Sequence, residues 1–213
     1  MRPRVLIIYT LDSIPTTVSA EAARVVHEIL NKKCEVHELA VINANNLALR
    51  FVTFFNKYDA IFYFGHGAKD KLHGQLPFGL IRAMITTHDL FIRTRIMYAV
   101  ACLSAQILGP VLVQHGVVKA YSGNDYYTFI AYPSHEHNYM ADFIDCFAEF
   151  ARVLVDGGTV GEAQLKMIRK MESYIRLYRN MINEWPNADF YLYAMKMNRE
   201  GWRLIGDPHA TLL

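Results

Sequence analysis

Cys102 and His66 are the two residues of this sequence whose types and spacing favour nucleophilic chemistry. Each follows an apolar run, residues 96–101 before the cysteine and residues 61–65 before the histidine. Runs without polar alternation are typical of strands buried on both faces of a parallel sheet. If the two strands are neighbours, their ends lie about 5 Å apart in the pairing direction. The imidazole could then activate the thiol as a nucleophile.

The backbone beside these two residues could stabilise an oxyanion. Gly65 and Gly67 flank the histidine and allow a sharp turn and a close approach to a substrate. The N–H groups of Gly67 and Cys102 could face a common point, as an oxyanion hole requires. Ser104 could cap a helix that begins behind the cysteine, and a helix N-terminus stabilises a thiolate. The sequence therefore predicts a reactive thiol at the carboxyl edge of the sheet, where ligands collect in open α/β folds.

The elements that must position this pair alternate between strand and helix. Strands are predicted over residues 5–9, 34–39, 61–65, 96–101 and 117–121, and helices over residues 19–30, 47–55, 79–86 and 105–115. The alternation favours a parallel sheet with right-handed crossovers. After residue 138 the pattern becomes helical as far as Gly201. The helix over 47–55 carries an apolar stripe of Leu47, Phe51, Phe54 and Phe55.

Composition and net charge limit the classes of partner that the chain is expected to bind. A chain of 213 residues that is 53% hydrophobic fits one domain with a substantial core. The net charge of +2 gives no strong attraction for nucleic acid or an anionic membrane. One side of a late predicted helix is basic, and its simplest interpretation is a helix face exposed to solvent. The basic residues are Lys166, Arg169, Lys170, Arg176 and Arg179. No apolar run reaches bilayer length, and residues 5–9 are too short for a signal peptide. We expect a cytoplasmic protein with no nucleic-acid or membrane partner.

Cysteine and histidine spacing gives no metal site. The cysteines are Cys34, Cys102 and Cys146. They form neither a disulfide framework nor a zinc pattern, so the first and last are predicted to be core residues. His135-Glu136-His137 could suggest metal binding, but a third partner is missing. We predict no metal and no cofactor.

The order of these features resembles the caspase, gingipain and separase clan of cysteine peptidases, most closely its CHAT-like and gingipain-like branches. Three of the features follow or end predicted strands: His66-Gly67 after one strand, Ala101-Cys102 with Ser104 nearby after a second, and Gly123 at the end of a third. The fourth lies in the last third of the chain, where Gly157-Gly158-Thr159 and Glu162-Ala163 precede Gly206-Asp207-Pro208. The resemblance covers roughly residues 5–213. The caspase signature around the cysteine is absent, and such signatures do not transfer between families.

The resemblance implies a single peptidase domain over residues 1–213. Its fold would be a caspase-like three-layer α/β sandwich, with a mostly parallel central sheet flanked by helices. Cys102 would be the nucleophile and His66 its dyad partner in a cysteine endopeptidase that acts through an acyl-enzyme. A protein or peptide is the implied substrate, and a regulatory protein partner is left open. No third group that orients the histidine can be identified from the sequence.

Two residues are candidates for substrate binding. Asp125 follows the fifth predicted strand at the same edge and could select Lys or Arg before the scissile bond. A solvated carboxylate is the competing interpretation. Val100, two residues before the cysteine, would instead give an uncharged pocket wall. The sequence leaves the specificity open.

Two other classes of function remain. The chain could be a catalytically silent member of the fold that serves as a binding or signalling module. It could also be a nucleotide-binding α/β protein, but residues 10–15 after the first strand hold no glycine-rich phosphate loop.

Overall fold

Strands and helices alternate through the first two thirds of the chain, in a computed structural model that describes residues 2–40, 43–75, 81–131 and 137–213. In these ranges the strands are β1 (Arg4–Tyr9), β2 (Glu35–Ala40), β3 (Ala60–Phe64), β4 (Gly67–Ala68), β5 (Lys71–Gln75), β6 (Ile81–Thr86), β7 (Thr94–Val100), β8 (Val118–Asn124) and β9 (Trp202–Gly206). The helices are α1 (Ile14–Leu30), α2 (Asn46–Phe55), α3 (Leu108–Gln114), α4 (Tyr139–Val155), α5 (Val160–Asn180) and α6 (Ala188–Gly201).

The central sheet has six strands in the order β2-β1-β3-β7-β8-β9. All neighbours run parallel except β9, which is antiparallel to β8. Every residue of β3 is buried, and β7 is buried over its last five residues, as apolar runs without alternation predict. The predicted α/β class, with a mostly parallel sheet flanked by helices, is confirmed.

Two hydrophobic clusters lie on opposite faces of this sheet. α1, α4, α5 and α6 pack on one face, where Tyr98 of β7 stacks on Phe150 with ring centroids 4.3 Å apart. Met97, the preceding residue of β7, belongs to the other cluster, with α2, α3 and a small antiparallel sheet of β4, β5 and β6. None of the helices in the described ranges has both the length and the apolar character needed to cross a membrane.

One predicted helix is a strand. Residues 81–86, expected in a helix over 79–86, form β6 and pair antiparallel with β5. Residues 79 and 80 lie outside the described ranges. Exposed Arg82 and buried Met84 share one face, whereas Ile85 is buried on the other face. Pairing with β5 therefore decided the conformation of a segment whose local pattern is ambiguous.

α1 begins earlier than expected. It starts at Ile14 with Ser13 as the N-cap, whereas the sequence predicts a helix over residues 19–30. Pro15 is tolerated in the first turn because the N–H groups there have no partner within the helix. Ser19 instead lies inside the helix and donates its hydroxyl to the Pro15 carbonyl at 3.1 Å.

Candidate active site

Cys102 lies two residues beyond β7, in a turn that is tied to the segment after β8. Its Sγ accepts the N–H of Thr128 at 3.3 Å. The next residue, Leu103, has a φ of 58°, a left-handed conformation that costs a leucine about 1–2 kcal/mol. Leu103 is held there because its N–H donates to the Tyr126 carbonyl at 2.8 Å. Backbone strain of this kind is concentrated at functional sites.

Burial controls the protonation state of the thiol. Desolvation raises the pKa of Cys102 above its ordinary value, and the hydrogen bond from Thr128 acts in the opposite direction. No helix N-terminus lies at the thiol, because α3 begins only at Leu108. Ser104 donates its hydroxyl to the Ala101 carbonyl at 3.4 Å and caps no helix. The expectation of a thiolate stabilised by a helix N-terminus is therefore wrong, and the thiol needs a base.

His66 lies two residues beyond β3, and one side of its ring is held by polar groups. Its Nε2 is 2.9 Å from Ser13 Oγ and 3.3 Å from Asp12 Oδ2. The Asp12 side chain is only 2% exposed, and its Oδ2 has no hydrogen-bond partner among the described residues. Both contacts are made by the same ring nitrogen, and the tautomer decides whether Nε2 donates to Ser13 Oγ or accepts from it.

A glycine at position 67 lets the two strand ends touch. A Cβ built on Gly67 would lie 2.6 Å from the carbonyl oxygen of Cys102, closer than real contacts allow. β3 and β7 are parallel with Phe64 opposite Val100. Gly67, the residue that follows His66, therefore lies against Cys102. His66 and Cys102 thus follow adjacent parallel strands at one edge of the sheet, whereas their side chains contact other groups, Ser13 for His66 and Thr128 for Cys102.

The two amides proposed for an oxyanion are also neighbours. A Cβ on Gly67 would lie 3.4 Å from the Cys102 nitrogen. The N–H of His73 donates to the His66 carbonyl at 3.0 Å, and hydrogen-bonded pairs alternate along antiparallel strands. The N–H of Gly67 therefore points away from β5. The N–H of Cys102 donates to no backbone carbonyl in the described ranges.

The two residues predicted to bind substrate are a carboxylate paired with an arginine and a buried valine. Asp125 Oδ2 pairs with Arg203 Nε at 2.8 Å, so its charge is already compensated. Val100 is 1% exposed and belongs to the core on the α1 and α4 face of the sheet. The geometry therefore supports neither a basic-residue pocket based on Asp125 nor a pocket wall at Val100.

Several residues that contribute to the site were not found from the sequence. Fully buried Asn198 on α6 accepts the N–H of Phe129 and donates to its carbonyl, both at 2.8 Å, which fixes the segment containing Thr128. A polar residue inside a helix gives no signal of this role. Asp12 did carry a signal, since it follows β1 at the same edge as His66.

The described residues contain no group of three or more His, Cys, Asp or Glu side chains that could hold a metal ion. Of the His135-Glu136-His137 motif, the first two residues lie outside the described ranges. His137 Nε2 is 2.7 Å from Asp142 Oδ2, which is an ordinary contact between side chains.

No protein-family model matches the sequence, and no curated protein matches it. Among solved structures, the fold is similar to gingipain R (RgpB), described as an Arg-specific cysteine proteinase, with a TM-score of 0.63 and 11% identity over 99% of this chain and 48% of that chain. The complex of Porphyromonas gingivalis RgpB pro- and mature domains gives a TM-score of 0.64 with the same identity and the same shares of the two chains. A structure described only as a protease gives 0.51, with 13% identity over 98% of this chain and 48% of that one.

The chain spans about half the length of the structures it matches. At such low identity the similarity shows the fold, which is that of the caspase-like cysteine peptidases to which gingipain belongs.

Proposed function

We propose that this chain is a cysteine endopeptidase that cleaves peptide bonds in proteins or peptides, with Cys102 as nucleophile and His66 as general base and acid. The observation that supports the proposal is that His66 and Cys102 follow the adjacent parallel strands β3 and β7, where Gly67 lets the backbones touch. The gingipain-like fold is consistent with it, but a fold alone hosts many activities, so the proposal depends on the site.

In the proposed acylation step, His66 acts first as a base and then as an acid. Nδ1 of His66 takes the thiol proton as Sγ of Cys102 attacks the carbonyl carbon of the scissile peptide. The carbonyl oxygen becomes an oxyanion, which the N–H groups of Gly67 and Cys102 stabilise. The C–N bond then breaks, the imidazolium gives its proton to the leaving amine, and a thioester remains on Cys102.

Water completes the cycle through the same groups. His66 takes one proton from a water molecule while the water oxygen attacks the thioester carbon. The C–S bond breaks, the carboxylic acid product leaves, and the thiolate of Cys102 recovers the proton from the imidazolium. Asp12 is a positioning residue throughout, because it holds Nε2 and stabilises the positive charge that develops on the ring.

The surroundings of the thiol favour uncharged residues before the scissile bond. The Asp125 carboxylate is occupied by Arg203, and the side chains of Tyr126 and Tyr127 are exposed on the segment that contacts Sγ. Aromatic side chains bind apolar groups through large contact areas. We therefore infer a preference that differs from the Arg specificity described for gingipain R.

A catalytically silent binding or signalling module is the second candidate, and one observation favours it. The N–H of Thr128 donates a hydrogen bond to Sγ of Cys102, and burial raises the pKa of the thiol. The hydrogen-bond contacts of Sγ are thus made with Thr128 and not with His66. We include a regulatory protein partner in the proposal as the means of shifting the Thr128 segment. Among the similar structures, one contains the RgpB pro-domain with the mature domain.

Hydrolysis of a peptide library, read by mass spectrometry, tests the proposal. Wild type is expected to cleave, and Cys102→Ser and His66→Ala are each expected to lose about 10³-fold or more of kcat/KM. His88→Ala replaces an exposed histidine away from the site and should keep full activity. Folded wild-type protein that cleaves no peptide in the library would favour the silent module.

A further inference from the structure

The outer face of α2 carries four large apolar side chains that are exposed to solvent. The exposed fractions are 79% for Leu47, 65% for Phe51, 82% for Phe54 and 65% for Phe55. They recur at i, i+4, i+7 and i+8, which places them on one stripe about 100° wide. We call these four residues the α2 stripe. Because α2 packs on the core through Leu49 on its inner face, the fold of one chain does not account for the stripe.

The area of the α2 stripe is large for the surface of a monomer. A phenylalanine presents on the order of 200 Å², so the stripe exposes roughly 500–600 Å² of apolar surface. The largest apolar patch on a typical monomer is about 300–600 Å² and is often functional. A standard interface takes about 800 Å² from each partner. The α2 stripe therefore supplies most of the surface area that one protomer buries in a standard interface.

The charges beside the α2 stripe suit contact with an identical surface. Arg50, the cation of α2, pairs with Asp89 at 3.0 Å and lies 4.5 Å over the ring of Phe91. Two identical surfaces can meet only if no unpaired like charges are placed opposite one another. A helix that binds an anionic membrane is, by contrast, rich in Lys and Arg along its polar face. The single, already paired arginine of α2 argues against a membrane and for a second copy of the chain, with exposed Lys57 and Arg82 at the polar rim of the contact.

We propose that two copies of this chain associate through the α2 stripe, around a two-fold axis. Phe51 lies in the middle of the stripe and meets its counterpart near the axis, as a residue at the centre of an isologous contact does. A groove of about 220 Å³, lined by Arg50, Thr53, Phe54 and Phe91, opens beside the stripe and receives an aromatic ring from the other copy. The interface involves neither His66 nor Cys102, so it does not depend on the proposed peptidase activity.

Light scattering coupled to size-exclusion chromatography over a dilution series tests the interface. Wild type is expected to show twice the mass of one chain at micromolar concentration. The variant Phe51→Glu with Phe54→Glu is expected to show the mass of one chain, with a dissociation constant raised about 100-fold or more. Both side chains are exposed, so the variant should fold, which circular dichroism verifies. Phe190→Glu with Leu165→Glu is the matched control, since these residues are also exposed, at 52% and 49%, and it should stay dimeric.

A second variant tests the two-fold geometry. Phe51→Cys is expected to form a covalent dimer under mild oxidation, and Phe190→Cys is not. A wild-type protein that is monomeric throughout the dilution series would overturn the proposal, and so would a dimer that survives the double substitution. If wild type is monomeric but floats with lipid vesicles, and the double variant does not, the stripe binds a membrane and the dimer proposal fails.

Discussion

At the scale of single residues, the proposed activity depends on the contact between Asp12 and His66. Burial disfavours the thiolate of Cys102, so the proton must move to a base that is already oriented. Ser13 Oγ and Asp12 Oδ2 both contact Nε2, which leaves the other ring nitrogen for the chemistry. In the proposed reaction the carboxylate acts through His66 and does not touch the substrate.

Replacing that carboxylate should lower turnover more than binding. Asp12→Asn is expected to reduce kcat about 10²-fold or more, with KM changed little, because the amide no longer fixes the tautomer of His66. Steady-state kinetics on a cleaved peptide measures this. Asp12→Glu should recover part of kcat, and the thermal midpoint of both variants should stay near that of wild type if the role is positioning. Equal losses for both variants would point to a structural role.

The contact between the two strand ends should tolerate only glycine at position 67. Gly67→Ala places a Cβ 2.6 Å from the Cys102 carbonyl oxygen, so we expect loss of activity as the thiol is displaced. Gly116→Ala is the control, because its φ of 66° costs about 1 kcal/mol of stability while nothing lies near its Cβ. Urea unfolding and peptide hydrolysis should show Gly116→Ala destabilised but active. Full activity in Gly67→Ala would contradict the geometry.

The raised pKa of Cys102 gives a pH dependence with a definite sign. Burial favours the neutral thiol, so in His66→Ala the alkylation rate should keep rising above about pH 8.5, the midpoint of a free cysteine. Iodoacetamide labelling followed by peptide mapping over a pH series measures the midpoint. A midpoint below that of a free cysteine would show that another group stabilises the thiolate.

At the scale of elements, α6 supports the thiol through the segment that follows β8. Asn198 forms two hydrogen bonds with the backbone of Phe129, and Thr128 contacts Sγ from the same segment. Asn198→Leu leaves two partly buried backbone groups of Phe129 unpaired, and we expect a loss of about 1–3 kcal/mol of unfolding free energy. Urea unfolding tests this, and alkylation of Cys102 should become faster as the segment loosens. Asn180→Leu, at an exposed position, should change neither quantity.

The sequence predicts elements well where a strand is buried on both faces. The uniform apolar runs before His66 and Cys102 have few alternative structures, and they appear as β3 and β7. The segment over residues 81–86 carries mixed signals, and its pairing with β5 decided the outcome. The stripe on α2 was visible in the sequence, but periodicity alone does not say which face meets the core and which meets solvent.

At the scale of the whole molecule, alternation of strand and helix predicted the parallel sheet but not the order of its strands. The antiparallel β9 joins β8 only after three helices have intervened, and such a long-range pairing has no local signal. That His66 and Cys102 lie at one edge of the sheet could be predicted because each follows a buried strand, and their catalytic roles stay predictions. Asn198 and Thr128 could not, because their roles depend on how α6 packs. The single-domain boundary and the cytoplasmic location stay predictions.

The central claim is that His66 activates Cys102, and covalent labelling tests it most directly. Wild type and His66→Ala are treated with acyloxymethyl ketone peptides ending in Lys, Arg, Asp or Leu, and the labelled cysteine is identified by mass spectrometry. We predict one label on Cys102, formed about 100-fold faster in wild type, with the Leu probe ahead of the charged probes. If Cys102 reacts no faster than the buried Cys34 and Cys146, or equally fast without His66, the claim is contradicted.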